Sequence, residues 1–133
     1  MPAPVSYDYA VIRVVPRVER EEFINAGVVL FSKGCHLLAA RVAVDEARLR
    51  ALASEVDLDL VRRHLEAIPR ICAGDQEAGP IAQLSQSERF HWLVAPRSTM
   101  IQMSAVHTGF SDDPARLLDD LFLRLVTTGP SAL

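Results

Sequence analysis

Two alternating apolar runs joined by a short polar segment constrain this chain more than any other feature. Over residues 8–15, Ala10, Ile12 and Val14 fall on one face of a strand, and Tyr9, Val11, Arg13 and Val15 fall on the other. Pro16 ends the run because it has no N–H to give to a ladder. About 11 residues later a second strand begins at Val28, and a connection that short is at the lower limit for a parallel crossover. The sheet is therefore expected to be antiparallel. Residues 19–24 suit a short helical turn, with Asn25 and Gly27 taking the left-handed conformations that close it.

The remaining pattern alternates strand and helix signals. Lys33-Gly34 makes a hairpin loop, and residues 37–42 pair back with Leu37, Ala39 and Arg41 opposite in facing to Leu38, Ala40 and Val42. Asp45 caps a short helix with the stripe Leu49, Leu52, Ala53, and Asp57 caps a longer one with Leu58, Val61, Leu65, Ile68 and Ile71. Pro69 is expected to kink or end that helix by removing the bond to Leu65. A loop over residues 74–80 precedes the capping box Ser85-Gln86-Ser87-Glu88 and a helical turn with Phe90, Trp92 and Leu93. Residues 100–107 read as the last strand. Asp112 or Asp113 with Pro114 then opens a final helix whose stripe is Leu117, Leu118, Leu121, Phe122 and Leu125. Residues 1–6 and 127–133 are expected to be loose termini. The order describes one α+β domain over residues 1–133, a small, mainly antiparallel sheet packed against several helices.

A chain of 133 residues can bury a self-sufficient core. A formal net charge of −3 gives no broad pull toward nucleic acid or anionic lipid, so nucleic-acid binding is not expected and any anion site must be local. No apolar run reaches the roughly 18 residues of a membrane span, and no secretory signal is visible, which makes the cytoplasm the expected compartment. Cys35 and Cys72 form no ligand-like pair and are expected as reduced thiols. No spacing suits zinc or iron, and Gly27 stands outside any phosphate-binding motif, so neither metal nor cofactor is expected.

Two polar clusters carry more hydrogen-bonding side chains than packing needs. One is Arg13, Arg17 and Asn25; the other is Arg97, Ser98, Thr99, Gln102, Ser104 and His107. Strand alternation puts Gln102 and Ser104 on one face, where Arg13 and Arg41 can join them, with Ile101, Met103 and Ala105 on the core face. Guanidinium beside amide and hydroxyl is the chemistry that recognises phosphate or carboxylate, and Arg97-Ser98-Thr99 is a candidate anion nest. The alternative is that Arg13, Arg41 and Arg97 pair with Glu19, Glu22 or Glu88 and only fasten the fold. His107 is the one candidate acid or base, and its parity differs from that of Ser98 and Ser104, so no catalytic set is assigned.

Taken together, Tyr7-Asp8-Tyr9-Ala10, Arg13-Val14-Val15-Pro16, residues 21–28, Gly79-Pro80-Ile81, residues 88–93, residues 95–99 and His107-Thr108-Gly109 resemble the bacterial domain-of-unknown-function family 3037. The resemblance covers nearly all of the chain. It implies an accessory or regulatory protein that binds another protein, with a HipA-like kinase-fold protein as the expected partner, and it carries no established catalytic residues. The other reading is a small sensor or enzyme that binds a phosphorylated or carboxylated metabolite at the same arginines.

Overall fold

A computed structural model of the chain describes residues 3–97 and 99–127. Five strands form one antiparallel sheet: β1 (Val5–Val14), β2 (Ile24–Ser32), β3 (Leu37–Val42), β4 (Ile101–Met103) and β5 (His107–Ser111). The helices are α1 (Glu46–Leu52), α2 (Leu58–Ala73), α3 (Gln86–Val94) and α4 (Pro114–Leu125). The strand order is β3-β2-β1-β4, with β5 beside β4 on the same edge of β1. The expected α+β class and antiparallel sheet are both present.

The sheet is covered on both faces, which is why β1 and β2 are apolar on both. Ala10, Ile12, Val14, Val29 and Phe31 pack toward Val61, Leu65, Ile68, Phe90 and Leu93 of α2 and α3. On the opposite face Val28 and Leu30 meet Leu118, Leu121 and Phe122 of α4. The amphipathic stripes read from sequence are the faces that do this.

Helix starts follow the local chemistry. Asp45, Asp57 and Asp113 each accept a backbone N–H at a helix start, and Ser85 with Glu88 completes a capping box. Pro69 does not end α2, which runs on to Ala73. Leu65, Ile68, Ile71 and Cys72 are buried on either side of it, and that burial outweighs the roughly 3 kcal/mol that an interior proline costs.

Four local expectations are corrected. The turn after Pro16 is a 3-10 turn over Val18–Arg20 closed by Glu21 at φ 55°, whereas Asn25 and Gly27 already belong to β2, paired with Arg13 and Ile12. Val5 and Ser6 are not loose; they pair with Ser111 and Phe110. The hairpin loop is a 3-10 turn, Lys33–Cys35, with His36 left-handed at φ 51°.

The fourth correction matters most for the site. The single strand expected over residues 100–107 is two strands, because a bulge interrupts its pairing with β1. Tyr9 pairs with His107 and Ile12 with Met103, so Ala10 and Val11 face Ser104, Ala105 and Val106. Ser104 fixes this bulge: its N–H donates to the Val11 carbonyl at 2.9 Å, and its Oγ accepts the Val11 N–H at 2.8 Å. A second bulge leaves Ala26 as the extra residue of β2, between the pairs Ile12–Gly27 and Arg13–Asn25. Both irregularities lie beside Arg13, where they sharpen the sheet's twist. Ser104→Ala strands the buried Val11 N–H and is expected to cost about 1–3 kcal/mol in chemical denaturation; a loss under about 0.5 kcal/mol would show that the hydroxyl does not hold the bulge.

Candidate functional site

The chain has thirteen arginines, and among the described residues three are withdrawn from the exposed surface: Arg13, Arg89 and Arg97. Arg89 caps a helix: its Nη1 donates to the carbonyls of Ile71 and Cys72 at 2.8 Å each, although its Nε, like that of Arg13, is buried without a hydrogen-bond partner among the described residues. The other two line one pocket. It has a volume of about 340 Å³ and is walled by Arg13, Val15, Val18, Phe23, Arg97 and Gln102, with Glu21 also at the lining.

Register explains the convergence. Arg13 and Gln102 are direct cross-strand neighbours between β1 and β4, so both side chains leave the sheet on the same face. Arg97 arrives from the segment between α3 and β4. Its guanidinium lies 4.1 Å above the Trp92 ring and donates from Nη2 to the Trp92 carbonyl. The Arg13 guanidinium lies 4.2 Å above the Phe23 ring. Its Nε is buried without a hydrogen-bond partner among the described residues. Aromatic faces support both cations without neutralising them.

Neither Arg13 nor Arg97 is within ion-pair distance of a carboxylate among the described residues, whereas Arg17, Arg20, Arg41, Arg62 and Arg70 all are. The fastening expected of the arginines therefore applies to Arg41, which pairs with Asp119 at 3.0 Å and covers Phe122, and does not apply to Arg13 or Arg97. The pocket presents two guanidiniums with unused N–H groups against one carboxylate, Glu21, together with apolar walls and an amide whose nitrogen donates to the Thr99 carbonyl at 2.9 Å; the cationic excess suits an oxyanion.

The other residues singled out from sequence fall elsewhere. Arg17 binds Glu55 at 2.6 Å, and this hydrogen bond holds the Glu55 carboxyl below its ordinary range. Asn25 donates to the Leu125 carbonyl at 3.0 Å and so finishes the end of α4. Thr99 donates to the Ile101 carbonyl at 2.8 Å, and Ser104 is spent on the bulge. Ser98 lies outside the described residues. His107 is exposed and stacks on Tyr9 at 5.0 Å between ring centroids. Its partner Tyr9 is four residues from Arg13 along β1, about 13 Å at strand rise, so His107 is not beside the arginines. Phe23, Trp92 and Val18 join the arginines without a distinctive sequence signal; the first two show only an aromatic within a few residues of charge.

Cys35 and Cys72 are free, and burial pushes the Cys72 thiol up to about 12. Among the described residues no three His, Cys, Asp or Glu side chains are grouped to hold a metal ion, and no helix is long and apolar enough to cross a membrane.

Fold and pocket define the class: a three-layer α+β domain with a half-buried arginine pair at one end of its sheet. The chain belongs to the family described as Protein of unknown function (DUF3037), whose model matches residues 9–126. No curated protein and no solved structure matches it.

Proposed function

We propose that this chain is a non-catalytic, cytoplasmic accessory protein that holds a partner protein through an anionic group seated between Arg13 and Arg97. The observation that carries this reading is the pair of half-buried guanidiniums, stacked on Phe23 and Trp92, with no carboxylate partner among the described residues. Withdrawing such groups from water is costly unless something neutralises them. The partner to test first is the HipA-like kinase-fold protein that the family resemblance implies. The separation of His107 from the arginines supports binding over catalysis.

The test is affinity purification of the tagged chain from its own host, with quantitative mass spectrometry before and after a salt wash. A stoichiometric partner is expected. Its affinity should fall about tenfold or more for each of Arg13→Gln and Arg97→Gln, the loss of one charged hydrogen bond apiece, while Arg41→Gln leaves it unchanged. Equal binding by all variants would sink the assignment.

The concavity of the pocket favours one further reading, an anionic metabolite at the same arginines. A volume of about 340 Å³ admits a small phosphorylated or carboxylated molecule. Thermal shift against nucleotides and metabolic acids separates it from the first: a ligand that raises the melting point of the parent but not of Arg13→Gln supports it.

A further inference from the structure

A second cavity lies beside the arginine pocket, on the other face of β4. It is a groove of about 480 Å³ between α2, α3 and β4, walled by Leu60, Ala67, Ile68, Trp92, Met100 and Met103. That volume is within the usual range of small-molecule sites, about 300–1,000 Å³. Among the described residues two basic side chains, His64 and Arg97, line it, and no carboxylate does. Arg97 lines both cavities. Its guanidinium spends one N–H on the Trp92 carbonyl and makes no other hydrogen bond to the described residues.

We infer that this groove binds a small amphipathic anion: an alkyl or aryl body lies between α2 and α3, and a terminal carboxylate or phosphate meets Arg97. The inference rests on the reading of Arg97 as an anion receptor and adds what the anion is attached to. Burial of the apolar body drives binding, because Leu60, Ala67 and Ile68 come from one face of α2 and Trp92 and Met100 close the opposite side. Charge sets the polarity of the ligand. An anionic head gains charged hydrogen bonds at the rim, and a cationic head is repelled.

The single tryptophan of the chain is Trp92, 40% exposed on the groove wall, so its emission reports occupancy directly. The probes are decanoate and decylammonium, both below their micellar concentrations, with inorganic phosphate alongside, and calorimetry supplies affinities for the variants. Decanoate is expected to give a saturable blue shift and to bind about tenfold or more tightly than decylammonium. Arg97→Gln should erase that preference, and Ala67→Phe, which fills the groove from α2, should weaken decanoate about tenfold. No saturable response, equal affinity for the two amphiphiles, or unchanged decanoate binding in both variants would overturn the inference. Phosphate binding or partner capture that depends on Arg13, in a chain that ignores decanoate, would overturn the groove and leave the arginine pocket standing.

Discussion

Gly27→Ala is expected to destabilise the fold by about 3 kcal/mol or more, at the upper end of overpacking substitutions, and to lower the melting temperature by roughly 10 °C. A Cβ at this position would lie 2.5 Å from the Arg41 carbonyl oxygen and 3.0 Å from both Ile12 Cδ1 and Val42 Cγ1. The nearest obstacle is backbone of β3, which cannot rotate aside. Relief requires β2 and β3 to separate, next to the Ala26 bulge that shapes the Arg13 end of the sheet. Gly34→Ala is the comparison, since its new methyl meets only Val5 side-chain atoms at 3.3 and 3.5 Å. Urea denaturation of the two variants decides the matter: equal losses would mean that Gly27 is not held by close strand approach.

The second large effect belongs to Arg89. Arg89→Met is expected to cost about 2–3 kcal/mol, the range for losing charged hydrogen bonds whose acceptors stay buried. The Ile71 carbonyl keeps the Gly74 N–H at 3.1 Å, but the Cys72 carbonyl loses the contact that Arg89 made at 2.8 Å. A cation at the last turn of α2 also complements the helix dipole. The effect should reach function, because Arg89 ties α3 to the end of α2, and those helices wall the apolar groove. Lysine is a poor substitute: its ammonium is a point charge on a flexible stem and lacks the planar fork. A loss below about 1 kcal/mol for Arg89→Met by chemical denaturation would show that other groups satisfy this helix end.

Arg89 also shows where sequence reasoning stops. It sits in a helix whose capping box is unmistakable, yet nothing within a few residues signals that its side chain will finish a different helix about 17 positions earlier. Arg17 and Arg97 look alike as isolated letters near acids and aromatics. One is tied to Glu55, 38 positions away, and the other stands at a cavity rim. The strand at Arg13 was legible from alternation, and so was the parity that puts Gln102 on one face. That these two residues are opposite each other depends on register, which two bulges reset.

Features whose physics is local can be read along the chain. Period-two alternation made strands, aspartate and serine caps started the helices, Pro114 opened α4, and the short link between the first strands favoured an antiparallel sheet. What depends on distant partners was settled by the folded packing. Burial carried α2 through Pro69, the Ser104 hydroxyl split the last strand, Arg41 went to Asp119, and Arg13 and Arg97 came to one pocket without an ion pair to a carboxylate among the described residues. The reason is range: caps and periodicities act within one or two turns of chain, whereas bulges, buried cations and cavity rims are set by groups brought together only when the sheet closes.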